Sequence, residues 1–138
     1  MFITPDCPLS QAYTQSFSEL AIHYQSEFTF FACLPSVLYA HEEIQHFVDS
    51  FNFPLPIVVD SSLTLTKRWG AEITPQIFVV DNRGKIKYDG SIDNWAIDLA
   101  QKRLAPSEFY LMDALEELKN DGDVTLSHTD AIGCVIEK

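Results

Sequence analysis

The chain has 138 residues, 46% of them hydrophobic and ten of them Phe, which suits one well-filled core and not two. Twenty acidic residues against nine Lys and Arg give a net charge of −11, which excludes a phosphate-backbone binder or an anionic-lipid binder, since either needs clustered cations. No apolar run reaches membrane-spanning length, and the three cysteines are too few for a disulfide scaffold and wrongly spaced for a zinc site.

In chain order, Phe2–Thr4 is a short extended stub and Pro5-Asp6-Cys7-Pro8 a turn. Leu9, Tyr13, Phe17, Leu20 and Tyr24 recur on one face, which predicts a helix with Pro8 in its first turn, where no backbone donor is needed. The apolar and β-branched run Phe28–Leu34 predicts a buried strand stopped by Pro35. Ile44, Phe47, Val48 and Phe51 predict an amphipathic helix over 40–51, and Pro56–Val59 a short strand. Asp60 is placed to cap a helix that runs through Trp69 and closes on Gly70. Ile77–Val80 is a further strand, turned at Asp81-Asn82-Arg83-Gly84 so that Lys85–Tyr88 pairs back. Residues 94–104 are expected to form a short helix, and Ser107 to cap another with Leu111, Ala114, Leu115 and Leu118 on one face. The tail, residues 122–138, is expected to be extended or irregular.

This alternation predicts an α/β sandwich with a mixed sheet, in one domain spanning 1–138. Residues 57–60, 28–34, 1–4, 77–81 and 85–90 are expected to neighbour one another in that order, the first three parallel through right-handed crossovers.

Cys7 is the sharpest chemical feature. It follows a strand stub and precedes a helix, so free backbone N–H groups and the positive helix end face its sulfur and favour thiolate, the nucleophile of disulfide exchange. Asp6 opposes this, because an ionised neighbour raises a thiol pKa. Cys33, at a strand end, is read first as a core residue and second as a neighbour of Cys7. His41 and His46 have the wrong spacing for one helical face. Trp69 and Trp95 are assigned to the core.

The segment Phe2-Ile3-Thr4-Pro5-Asp6-Cys7-Pro8-Leu9-Ser10 resembles the active-site stretch of thioredoxin-like proteins. More narrowly, it is similar to the redoxin branch shared by alkyl hydroperoxide reductase/thiol-specific antioxidant (AhpC/TSA) proteins and TlpA-type oxidoreductases. Three more segments resemble that branch in order: Ile57-Val58-Val59-Asp60 with Lys67-Arg68-Trp69-Gly70, then Ile73-Thr74-Pro75-Gln76-Ile77-Phe78-Val79-Val80-Asp81, then Gly84-Lys85-Ile86-Lys87-Tyr88-Asp89-Gly90. The resemblance implies a three-layer sandwich with a mixed five-stranded sheet flanked by helices. It also implies a cis Pro75 that faces Cys7 and presents the Thr74 backbone to a partner, beside Pro8 and Ser10.

Two departures from that pattern matter. Ser10 stands where the second cysteine of a Cys-x-x-Cys pair would be, so Cys7 lacks its usual resolving neighbour. Thr4 has the spacing of the peroxidatic threonine, but Thr74-Pro75-Gln76 occupies the stretch that would carry the peroxidase arginine, and Arg83 lies in a turn. Ala131-Ile132-Gly133-Cys134-Val135-Ile136 resembles a C-terminal Gly-Cys segment of some redoxin-like proteins. Cys134 is accordingly the candidate resolving cysteine, within one chain or across two, with a free tail thiol as the alternative.

The leading expectation is a thiol–disulfide oxidoreductase of the redoxin type with no cofactor and no metal, acting on protein or small-molecule thiols and disulfides. The alternatives are a non-catalytic thioredoxin-fold domain that binds a peptide at the Pro75 loop, a metal site drawing on Cys134 and His128, and a thiol peroxidase. The expected compartment is cytoplasmic if Met1 is the true start and periplasmic if an N-terminal segment is missing.

Overall fold

The computed structural model describes residues 1–138. The predicted first helix is two helices, α1 (Pro8–Ala12) and α2 (Thr14–His23), broken at Tyr13. The Thr14 hydroxyl donates to the Gln11 carbonyl at 2.7 Å, and the Tyr13 phenol is drawn aside to Asp93 at 2.7 Å. The Thr14 bond takes a backbone acceptor and so competes with a regular helical ladder at the break. Strand β1 is only Ala32–Leu34, shorter than the predicted 28–34, and the Met1 amine donates to the Phe31 carbonyl at 3.0 Å.

Helix α3 (His41–Phe51) buries Phe47, takes its first-turn cap from the Glu43 carboxylate on the Ala40 N–H at 2.8 Å, and ends on Asn52 in the left-handed region. Strand β2 (Ile57–Val59) leads to Asp60, whose buried carboxylate accepts from the Thr64 N–H, the Thr66 N–H and the Thr66 hydroxyl at 2.7–2.8 Å. That cluster starts α4 (Thr64–Trp69), which Gly70 closes at φ 72°. Strand β3 (Ile73–Thr74), β4 (Ile77–Val80) and β5 (Ile86–Gly90) follow, with a cis Thr74–Pro75 peptide between β3 and β4.

Residues 94–104 are not a helix, contrary to expectation. The Asn94 side-chain amide oxygen accepts the Ser107 and Glu108 N–H groups at 2.9 and 3.0 Å, and the Asp98 carboxylate accepts those of Ala100 and Gln101 at 2.7 Å. Asp98 thus takes two donors that a helix over 94–104 would need, and Asn94 ties the start of the segment to the residues beyond its end, so the segment folds as a loop. The same commitment of Ser107 and Glu108 delays α5 to Tyr110–Lys119, so Ser107 is not its cap. The tail holds one short strand, β6 (Cys134–Val135).

The regular ladders are three pairs: β1 with β2, parallel; β4 with β5, antiparallel; and β3 with β6, antiparallel. The stub at the chain start joins the first two pairs through one residue, Phe2, bridged parallel to Cys33 and antiparallel to Gln76. The neighbour order is thus β2, β1, Phe2, Gln76 with β4, and β5, but a continuous five-stranded ladder is not formed. Pro5 and the turn at Thr4 leave the stub too short to pair as a strand.

Alternation along these segments divides the core. Ile3, Ala32 and Ile77 join the main cluster with Leu9, Phe17, Phe47, Leu111 and Leu115. Phe2 and Cys33 join a smaller one with Ala71 and Ile136, against Trp69 and Phe78. No helix is long and apolar enough to cross a membrane.

Candidate active site

Cys7 is the residue immediately before α1, 1% exposed, and its backbone is held by Cys7 N–H to the Thr4 carbonyl at 3.1 Å. Pro8 sits at the first helical position with its ring exposed. Ser10 is fully buried, and its oxygen accepts the Thr4 N–H at 3.3 Å. Ser10 therefore ties the strand stub to the helix across the cysteine instead of supplying a second sulfur.

Opposite stands the loop after β3. The Cys7 sulfur donates to the Thr74 carbonyl at 3.1 Å, so the residue before cis Pro75 does touch the thiol. The Thr74 hydroxyl pairs with that of Thr4 at 2.9 Å and with the Cys134 carbonyl at 3.5 Å. The tail brings the third component. In the β3–β6 ladder Thr74 is the direct partner of Cys134, and Gly133 lies against the Thr74 carbonyl so closely that a Cβ there would stand 2.0 Å from its oxygen. Only glycine permits that approach. The tail beyond is fixed by Ile136, which is buried and donates its N–H to the Glu72 carbonyl at 2.8 Å.

The two thiols, 127 positions apart in sequence, are thereby neighbours, and both are free. Burial raises the Cys7 pKa, but hydrogen bonds donated to its sulfur by Cys134 and by the Ser10 N–H and hydroxyl outweigh this and hold it below the ordinary thiol value. The Thr74 carbonyl pulls the other way, because it accepts only from the protonated form. Cys134 goes opposite to Cys7: burial, the Cys7 sulfur and the Asp6 carboxylate push it up to about 12. Of this pair, Cys7 is the sulfur that gives up its proton first.

Asp6 does not act where the sequence placed it. Its carboxylate accepts the Tyr39 hydroxyl, and its repulsion falls on Cys134. Tyr39 itself was not foreseen; it lies between β1 and α3 in a stretch without a periodic pattern. A cleft of about 230 Å³ opens over the sulfurs between Thr4, Asp6, Cys7, Tyr39, Cys134 and Glu137.

Cys33 is not part of this site. It points to the opposite face, into the smaller cluster with Phe2 and Ala71, and burial raises its pKa to about 12. No group of three or more His, Cys, Asp and Glu side chains is arranged to hold a metal, and His128 is bonded to Asp89 at 2.8 Å, away from the cleft. None of Arg68, Arg83 and Arg103 lines the cleft, so the sulfur has no guanidinium beside it.

No protein-family model matches the chain, and no curated protein does. Solved structures do. An uncharacterized conserved protein from Geobacillus kaustophilus superposes with a TM-score of 0.81 at 22% identity, over 100% of this chain and 75% of that one. A hypothetical protein from Sinorhizobium meliloti 1021 gives 0.79 at 22% identity, over 98% and 75%. A secreted Mycobacterium tuberculosis disulfide oxidoreductase homologous to E. coli DsbE gives 0.53 at 22% identity, over 62% and 61%. At these identities the likeness is one of fold: the chain has a mixed α/β, thioredoxin-like architecture.

Proposed function

We propose that the chain is a thiol–disulfide oxidoreductase of the redoxin type in which Cys7 attacks and Cys134 resolves. The observation that carries this reading is the pairing of β6 with β3, which seats Cys134 against Cys7 with their ionisation split in the useful direction. The fold shared with a disulfide oxidoreductase supports it, as does the resemblance of the sequence around Cys7 and Pro75 to the AhpC/TSA and TlpA branch.

In the reducing direction the Cys7 thiolate attacks one sulfur of a substrate disulfide and expels the other as thiolate. Once Cys7 is in the mixed disulfide, the negative sulfur that held Cys134 protonated is gone, and Cys134 loses its proton more readily. Its thiolate then attacks the Cys7 sulfur, expels the second substrate thiolate and leaves a Cys7–Cys134 disulfide. Two electrons pass to the substrate, and an external dithiol restores the pair. Pro75 shapes the loop that holds the Thr74 carbonyl at the sulfur. Peroxide reduction is the weaker reading, because no arginine borders the cleft.

The test is oxidation of the isolated protein followed by peptide mapping without reduction. A Cys7–Cys134 link with Cys33 free is expected. Cys7 joined only to small external thiols, with Cys134 untouched, would overturn the two-cysteine mechanism.

A further inference from the structure

Resting on that reading, the form of the site limits what it can accept. The edge of β3 beside Cys7, where an extended substrate segment would add as a strand, is already filled by the chain itself. Ile73 and Thr74 pair with Val135 and Cys134, and Gly133 leaves no gap over the Thr74 carbonyl. Both ends of this segment are fastened. Ile136 is 6% exposed in the smaller core cluster. At the other end the backbone at Thr129 lies against Gly90, where a Cβ would stand 2.3 Å from the Thr129 carbonyl oxygen. A peptide could add to β3 only by pulling Ile136 out of the core and breaking the ladder that holds Cys134 at Cys7. Strand addition and resolution by Cys134 exclude each other.

What stays open is the cleft of about 230 Å³, bordered by Asp6 and Glu137 and by no Lys, Arg or His. The adjoining hollow adds Glu42 and Glu43, with His46 its one basic side chain. The net charge of −11 repels anions at longer range.

We propose that the disulfide taken by the Cys7–Cys134 pair is a small molecule of neutral or positive charge, and not a disulfide carried in an extended protein segment. Cys7 and Cys134 each give up one proton and one electron, and the small disulfide leaves as two thiols.

The test follows the rate of Cys7–Cys134 bridge formation with four oxidants. Diamide serves as a small uncharged control. Cystamine, oxidised glutathione and a disulfide linking two short neutral peptides are then compared, each rate divided by that of a free thiol in solution. Cystamine is expected to exceed oxidised glutathione by about tenfold at low salt, a gap that narrows as salt screens the cleft. The peptide disulfide is expected to be slower than cystamine at every salt concentration. Glu137→Gln, at the border of the cleft, should shrink the cystamine preference severalfold while diamide still forms the bridge. A peptide disulfide or oxidised glutathione reacting fastest would overturn the substrate assignment and leave the two-cysteine mechanism standing. Failure of diamide to form the bridge would instead remove the mechanism, and the assignment with it.

Discussion

Replacing Gly133 with alanine tests how the second thiol is held. The added Cβ would meet the Thr74 oxygen at 2.0 Å, the Thr74 carbonyl carbon at 2.6 Å and the Pro75 nitrogen at 3.0 Å. A carbon–oxygen contact needs about 3.3 Å, so the two backbones must part by more than 1 Å. Neither can yield cheaply: Thr74 is tied to Cys7 and Thr4, and the tail is tied by Ile136. Strain of this kind in packed structure costs about 1–3 kcal/mol. Peeling the tail away sets a ceiling of similar size, because it exposes Ile136 at about 1.5–3 kcal/mol. A loss of about 2 kcal/mol lowers the melting temperature of a 138-residue chain by about 7 °C. Thermal unfolding of the reduced protein reads the stability. Mapping after oxidation reads the yield of the Cys7–Cys134 link, which should fall sharply even at temperatures where the variant is folded. An unchanged melting temperature together with an unchanged link would refute the argument that this contact seats Cys134.

Four further outcomes rest on the Cys7–Cys134 pair, His128 and Asp60. Cys134→Ala removes a hydrogen bond that lowers the Cys7 pKa, so the pH profile of Cys7 alkylation should move to higher pH; a profile that stays in place would show that Ser10 alone activates the sulfur. Under oxidant the same variant should accumulate mixed disulfide or over-oxidised Cys7, detected by mass spectrometry. His128 has its pKa raised by the Asp89 hydrogen bond, so its contribution to the tail is complete below about pH 6.5 and fades as pH rises through the raised value. Lower protection of the amides of residues 127–136 above that range, after the intrinsic rise of exchange with pH is divided out, is the expected signature, and Asp89→Asn should remove this pH dependence. Asp60 is pushed up by burial but lowered more by the Thr66 N–H and hydroxyl, and ends below its ordinary value. Its stabilisation is therefore present above about pH 4 and lost as pH falls through the depressed value, and Asp60→Asn should flatten the acid limb of a urea-midpoint profile.

The parts legible in the sequence are those fixed by local chemistry. The apolar spacing of Ile44, Phe47, Val48 and Phe51, the Asp81–Gly84 turn and the Gly70 stop each depend on neighbours a few positions away, and each stands where it was expected. The turn at Cys7 and its contact with the loop at Thr74 were legible through the resemblance. Long-range competition for donors was not. Asn94 has the composition of a helix start, but it spends its amide oxygen on Ser107 and Glu108, thirteen and fourteen residues on. The partners of the tail are equally remote from it in sequence. Residues 131–136 carry no strand length of their own, and their order comes from Gly133 and Ile136 finding Thr74 and the Phe2 cluster. Gly133 next to Cys134 was the one visible sign of that contact. Tyr39 gave none, since its partner Asp6 lies 33 positions away.

The placement of Cys33 fixes the electron count of the molecule. A chain with three thiols can in principle form three different internal disulfides, and exchange among them would blur any titration. Here the third sulfur faces away from the other two, behind Phe2 and Ala71, with its proton held by burial to about pH 12. Full oxidation of one chain should therefore stop at a single two-electron event, and a thiol count in denaturant should fall from three to one and no further.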